Sequence, residues 1–346
     1  MNIVDNYPMS KITTLQIGGP AKKFVIVKTA EELQEAINFA KENNLEFLVI
    51  GGGSNLLVSD EGVDKLIIKN DITGISISNV GSSPKKVGFV PTDVLSFEVE
   101  VNSGTVLQEL VDYTIQHGLS GLQKLTGIPG TVGGAVFGNA GAYGQTISDY
   151  LVEVSVINPS VIPASEPESI QIYGSRSVGR PVKHGMTKEE CDFNYRDSGF
   201  KKNHYTILEI KFQLQSEDPI ILSQEAKEVL SKRLVKYPVG IKCPGSFFKN
   251  LVADKLPKEV LKQIPQDKIT YGKISAGYLL EAVGAQGQKL DGIEIASYHA
   301  NLFVNKGGGS AQAFYNLAKK YADLVKQKFG ITLEPEVQLI NLPPLV

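Results

Sequence analysis

The sequence is poor in the residues that most often announce a site. Its 346 residues include no tryptophan, two cysteines and four histidines. Cys191 and Cys243 are too few and too far apart for a disulfide framework or a zinc knuckle, and they agree with a reducing compartment. His117, His184, His204 and His299 are dispersed without metal-ligand spacing, so no metal is expected. No run of about 18 apolar residues occurs, so no membrane span is expected. The start, Met1-Asn2-Ile3-Val4-Asp5, lacks a basic segment followed by an apolar run. No signal peptide is therefore expected, and the protein is read as cytoplasmic. A net charge of −2 gives no broad pull toward nucleic acid or a membrane surface. What remains is ordinary: 42% apolar and 21% charged residues, ample for a core, at a length suited to two or three domains.

Periodicity divides the chain. Phe24–Val27 is apolar and β-branched and reads as a strand. Thr29 with Glu32 makes a possible capping box, after which Leu33, Ala36, Ile37 and Ala40 share a helical face. Asn43-Asn44 ends that helix, and Phe47–Ile50 and Leu66–Ile68 read as strands. From Ile75 to Val101 strands are expected, broken by a polar loop at Gly81–Lys86. Leu107, Leu110, Val111 and Thr114 mark a helix that stops at Gly118. Residues 158–190 are rich in Pro, Ser and Gly and read as a long surface insertion. Strand text resumes at Tyr205–Ile210. A third part opens near 219 with a helix around Glu225–Leu234. It closes with an amphipathic helix carrying Phe314, Leu317, Tyr321 and Leu324, then a strand at Val337–Ile340.

Five segments carry candidate chemistry. Gly51-Gly52-Gly53-Ser54-Asn55 follows a buried strand. It reads either as a tight turn or as a nest whose backbone N–H groups and Ser/Asn side chains approach a diphosphate. No Gly-Lys-Ser/Thr follows, so it is not a Walker A loop, and Leu56-Leu57-Val58 does not open the helix that a dinucleotide fingerprint needs. The second segment is Thr126-Gly127-Ile128-Pro129-Gly130-Thr131-Val132-Gly133-Gly134-Ala135, continued through Gly138-Asn139-Ala140-Gly141-Ala142-Tyr143-Gly144. Seven glycines there mean that something lies close against the main chain. A flat cofactor is one reading, and paired turns around a short helix are the other. Tyr195-Arg196-Asp197-Ser198 reads alone as an ion pair. Gly245-Ser246-Phe247-Phe248-Lys249-Asn250 reads alone as a loop anchored by two phenylalanines, and Leu333-Glu334-Pro335-Glu336 as a solvated acidic turn.

Taken together, in order and spacing, these segments resemble the UDP-N-acetylenolpyruvoylglucosamine reductase (UDP-N-acetylmuramate dehydrogenase) family. The likeness runs from Thr13-Thr14-Leu15-Gln16-Ile17-Gly18-Gly19 to Glu336. It implies an α+β fold: a vanillyl-alcohol-oxidase-type FAD-binding module of two α+β subdomains, 1–70 and 71–218, and a C-terminal α+β substrate domain, 219–346. It also implies a flavoprotein oxidoreductase with FAD as cofactor and NADPH as hydride donor. Such an enzyme serves peptidoglycan synthesis, and through it cell wall biogenesis, cell shape and cell division in the cell cycle. On this resemblance Arg196 contacts the substrate enolate, Ser246 donates the proton and Glu336 acts with it. Tyr195, Lys249 and Asn250 contact the UDP-sugar. Gly51, Gly52, Gly53, Ser54 and Asn55, with Thr126, Gly127, Ile128, Pro129, Gly130, Thr131, Gly133, Gly134, Asn139, Gly141, Ala142 and Tyr143, contact FAD. A monomer is expected, with neither nucleic acid nor membrane as partner.

The chain departs from the family pattern at Pro244, Leu251 and Phe137-Gly138, which touches loop geometry and leaves the catalytic positions intact. The short Arg196-to-Ser246 spacing leaves no room for the extra tyrosine-bearing loop of one subfamily, which implies the subfamily without it and a more open substrate cleft. The chemistry suits the residues. Hydride addition to the enolpyruvyl alkene builds negative charge beside a carboxylate, which a guanidinium stabilises in a dry site. Lys249 is expected to add positive charge, and Glu336 either to orient the carboxylate region or to relay a proton. Two rivals are another flavin oxidoreductase or oxidase on the same module, and a non-catalytic UDP-sugar binder.

Overall fold

Thr29 starts the first helix, Ala30–Glu42: its side chain accepts from the Glu32 backbone N–H at 3.2 Å. Glu32 reaches back to the Lys28 N–H, one residue before the cap, at 2.6 Å, so the box closes on Lys28. Asn43 caps the other end and Asn44 takes φ 50, which stops the helix. The apolar face, Leu33, Ala36, Ile37 and Ala40, is fully buried. It joins a core with Val25, Val27, Leu66 and Ile68. Strands Pro20–Val27, Val63–Asn70 and Phe47–Ile50 lie side by side in that order, the last two parallel.

The computed structural model describes all residues except 88, 89, 159–182, 204 and 346, and no side chains in 81–94 or 183. The chain forms two compact units. The first holds Met1–Val4, Lys23–Gly52 and Lys65–Arg233; the second holds Asp5–Lys22, Gly53–Asp64 and Leu234–Val346.

The first unit's larger sheet runs Lys183–Thr187, Leu151–Ile157, Thr206–Ser216, Val90–Asn102, Ile75–Val87, all antiparallel neighbours. Two expectations change here. Residues 81–86 are part of the strand Ile75–Val87 and not a loop breaking it, because their backbone pairs with Pro91–Ser96 across an antiparallel ladder whatever their polarity. The expected insertion 158–190 is structured at its end: Lys183–Thr187 forms an edge strand on Leu151–Ile157. Its middle, 159–182, lies outside the described residues. Helix Leu107–Gln116 buries Leu107, Leu110, Val111 and Thr114, and Gly118 follows at φ 64. Asp218 starts helix Pro219–Lys236, earlier than the expected Glu225, by accepting from the Ile220 N–H at 2.8 Å.

In the second unit, Leu56–Val58 is a strand parallel to Gln338–Ile340, which explains why no helix opens after the triple glycine. Helix Ala311–Phe329 is capped by Ser310 and ended by Gly330 at φ 68. It packs Phe314, Leu317, Tyr321 and Val325 into a core with Phe247, Phe248 and Phe303. No described helix is long and apolar enough to cross a membrane.

Candidate active site

In the first unit, Asn194 and Asp197 exchange backbone hydrogen bonds at 3.0 and 3.1 Å, closing a two-residue turn around Tyr195 and Arg196. Arg196 takes φ 54 to make that turn. A left-handed arginine costs on the order of 1 kcal/mol, so surrounding bonds must hold it. The guanidinium lies 5.6 Å from the Tyr195 ring centroid. It donates from Nη2 to the Gly141 carbonyl at 2.6 Å and from Nη1 to the Asn139 carbonyl at 3.4 Å. Asp197 pairs with Lys201 at 3.4 Å, and Lys201 also donates to the Arg196 carbonyl at 2.7 Å. Buried Ser198 donates to the Phe137 carbonyl at 2.7 Å. The Tyr-Arg-Asp-Ser turn is thus fastened onto the glycine-rich segment.

Within that segment Thr131 caps helix Val132–Phe137, accepting from the Gly134 N–H at 3.3 Å. Gly133 lies so close to Ser103 that a Cβ would meet the Ser103 Cβ at 2.7 Å; Gly52 would meet the Gly130 Cα at 3.0 Å. The two glycine-rich segments therefore touch main chain to main chain. Gly141–Ala142 and Gln145–Thr146 form a hairpin whose loop residues, Tyr143 and Gly144, both have positive φ. By contrast Gly134 and Gly138 meet nothing closer than 3.4 and 3.5 Å. Asn139 is 4% exposed, and its Nδ2 donates to the Asn194 carbonyl at 2.9 Å. Its Oδ1 is buried with no hydrogen-bond partner among the described residues. A buried acceptor of this kind awaits a donor.

In the second unit, Gly245 at φ 89 precedes Ser246. The residues after it are clamped: the Phe247 N–H donates to the Asn301 carbonyl at 3.0 Å, and the Phe248 N–H to Asn301 Oδ1 at 2.8 Å. Both phenylalanines are core, so anchoring and presentation of the serine come from one segment. The strand-like pairing of this segment brings up the last motif. The Glu336 N–H donates to the Phe247 carbonyl at 2.7 Å, and the Lys249 N–H to the Glu334 carbonyl at 2.9 Å. Ser246 and Glu336 are thereby held on adjacent extended segments. Asn55 Nδ2 donates to the Glu336 carbonyl at 3.1 Å, so this amide braces the acidic segment. Lys249 Nζ lies 3.4 Å from Glu334, which accounts for part of the charge expected to serve a ligand. Asn250 Oδ1 accepts from the Ala276 N–H at 3.1 Å, at the start of helix Ala276–Ala282.

One contact was not legible in the sequence. The Tyr237 and Ser246 hydroxyls are 2.9 Å apart. A lone tyrosine before a proline carries no signal; only the fold brings it to the serine. The Tyr237 ring meets the His299 ring edge-on, centroids 6.5 Å apart. Burial, aided by the Lys236 charge, lowers the His299 pKa to about 4, so its imidazole is neutral at physiological pH. Among the described residues no group of three His, Cys, Asp or Glu gathers as a metal site.

Two family models match the chain. A FAD binding domain covers residues 21–160, and the C-terminal domain of UDP-N-acetylenolpyruvoylglucosamine reductase covers residues 237–340. The UDP-N-acetylenolpyruvoylglucosamine reductase of Solibacter usitatus is 34% identical over 338 residues, 96% of this chain and 95% of that protein. That of Carboxydothermus hydrogenoformans is 33% identical over 344 residues, 98% and 94% of the two chains. The crystal structure of UDP-N-acetylenolpyruvylglucosamine reductase from Thermus caldophilus superposes with a TM-score of 0.67 at 26% identity, covering 98% of both chains.

Proposed function

Because the chain belongs to the UDP-N-acetylenolpyruvoylglucosamine reductase family, we propose that it reduces UDP-N-acetylglucosamine enolpyruvate to UDP-N-acetylmuramate, using NADPH and FAD, for peptidoglycan precursor synthesis in the cytoplasm. The observation that supports this reading is the backbone pairing of the Ser246–Lys249 segment with Glu334–Val337, which runs the serine's segment alongside the glutamate's.

The residues fit a flavin. The glycine-rich segments supply main chain with room at Gly134 and Gly138, and Asn139 offers a buried acceptor for a ring N–H. Gly51, Gly52, Gly53, Ser54 and Asn55 are assigned to the diphosphate, and the Thr126–Tyr143 segment to the isoalloxazine, with 1–70 and 71–218 as the two cofactor subdomains of vanillyl-alcohol-oxidase type. Held there, FAD would supply two-electron hydride chemistry between NADPH and the terminal alkene carbon.

The chain's own part is charge and proton. Arg196 binds the carboxylate and the developing enolate, a role suited to a permanently charged planar fork. Ser246 gives its hydroxyl proton to the carbon bearing the ether oxygen. Glu336 orients the carboxylate region or relays a proton. Tyr195, with Lys249 and Asn250 of the substrate domain 219–346, completes the UDP-sugar contacts. The short Arg196-to-Ser246 spacing supports assignment to the subfamily without the tyrosine loop.

NADPH and the UDP-sugar take turns at the flavin, so initial-rate plots are expected to be ping-pong. A direct test is the visible spectrum of the FAD-loaded protein. It is expected to bleach with NADPH and recover with the UDP-enolpyruvyl sugar under anaerobic conditions. Recovery with oxygen alone, at a similar rate, would favour an oxidase; a protein that stays colourless with FAD would favour a plain UDP-sugar binder.

A further inference from the structure

Ser246 has a problem as an acid. Once it gives up its proton it is an alkoxide, and the next turnover requires a prompt replacement. Among the described residues, Tyr237 brings its hydroxyl to it, at 2.9 Å. Either oxygen can donate. With the phenol donating, the serine's own proton is free to point at substrate.

Tyr237 is held for this geometry from several sides. Its ring packs on a small cluster of Cys243, Ala296, Leu302 and Val304. The His299 ring meets it at 84°, in an edge-to-face arrangement. Ser246 in turn is bridged by its backbone to Leu302, a member of the same cluster. Serine and tyrosine are therefore indexed to one piece of core. His299, kept neutral by burial, puts no charge against the phenol.

Resting on the reading of Ser246 as the proton donor, we infer that Tyr237 is its positioning and proton-resupply residue. The balance is simple. The Ser246 O–H bond breaks as a C–H bond forms at the ether-bearing carbon. In the same step the Tyr237 O–H bond breaks and the Ser246 O–H is restored. Water reprotonates the phenolate. No electrons move in these steps; both come with the hydride. The second transfer runs downhill, because an ordinary phenol, with a pKa of about 10, is a far stronger acid than an aliphatic alcohol.

The test is Tyr237→Phe in the FAD-loaded full chain, alone and combined with Ser246→Ala, followed by anaerobic stopped-flow absorbance. Flavin reduction by NADPH sends no proton through Ser246 and serves as the internal reference. Reoxidation by the UDP-enolpyruvyl sugar is expected to slow by roughly 10- to 100-fold, up to the lower end of what a direct proton-transfer group contributes. In mixed H2O and D2O the wild-type reoxidation rate is expected to curve with deuterium fraction, as two protons in flight require, and Tyr237→Phe to give a straight line. Added to Ser246→Ala, Tyr237→Phe is expected to slow reoxidation no further, since it acts only through the serine. A wild-type reoxidation rate in Tyr237→Phe, equal slowing of both half-reactions, or a further slowing in the Ser246→Ala background would each overturn this inference alone. Failure of the wild-type protein to be reoxidised by the sugar would overturn the functional reading itself, and this inference with it.

Discussion

Gly245 carries φ 89 directly before Ser246, and nothing stands within 4 Å of where its Cβ would be. The glycine there answers a backbone need, since an L-residue pays for that conformation whatever the space. It turns the chain so that Phe247 and Phe248 go inward while Ser246 meets Tyr237. Ser246→Ala is expected to leave flavin reduction by NADPH near the wild-type rate and slow reoxidation by the UDP-sugar by about 100-fold or more. Stopped-flow absorbance separates the two, and equal loss of both would remove Ser246 from the proton step. Arg196 is more entangled. Its guanidinium donates to the carbonyls of Gly141 and Asn139, both in the segment assigned to the flavin. Arg196→Ala is therefore expected to slow reoxidation more than reduction and also to weaken FAD retention. Charged hydrogen bonds of this kind contribute roughly 1.5–3 kcal/mol, so about ten-fold or more in affinity is at stake. Fluorescence of FAD released on gel filtration measures this; undiminished retention would mean that the turn stands without those bonds.

At the scale of elements, the glycine-rich segment divides into positions the fold needs and positions it does not. Gly133 is pressed against Ser103, where helix Val132–Phe137 bonds back through the Gly133 N–H to the Ser103 carbonyl at 2.8 Å. Gly134, one residue on, is exposed and open. Gly133→Ala is expected to destabilise the apoprotein by roughly 1–3 kcal/mol, an overpacking cost. Gly134→Ala is expected to leave the apoprotein unchanged or up to about 1 kcal/mol more stable, since alanine is the better helix former. Urea unfolding without FAD checks both. A loss of FAD affinity confined to Gly134→Ala then reports the cofactor and not the fold. From sequence, glycine density alone read as something close to the main chain. At Gly133 and Gly52 that something is the protein's own backbone and Ser103. The helix capped by Thr29 and ended at Asn44 was legible because its signals are local. The strand through 81–86 was not, because the hairpin ladder with residues 91–96 overrides local polarity.

For the whole molecule, the motif residues were legible one at a time but their support was not. The place of Ser246 depends on Asn301 and Leu302, more than fifty residues away, and that of Glu336 on Asn55 and Phe247. No local window holds such pairings. The same support makes the molecule sensitive to acid. His299 sits between Gly277 and Tyr237, with burial first and the Lys236 charge second lowering its pKa from 6.5 to about 4. A base whose folded pKa is depressed binds its proton more readily when unfolded, so stability falls as pH falls. Its contribution is fully present above about pH 6.5 and is lost progressively down to about pH 4. A shift of this size corresponds to at most roughly 3–4 kcal/mol over that window. The urea midpoint of the wild-type protein is expected to drop steeply between pH 6.5 and 4. His299→Gln, which cannot titrate, is expected to show a shallower drop while being somewhat less stable at pH 7 for want of the ring contact with Tyr237. Parallel midpoint curves for the two proteins across that range would show that acid acts through other groups.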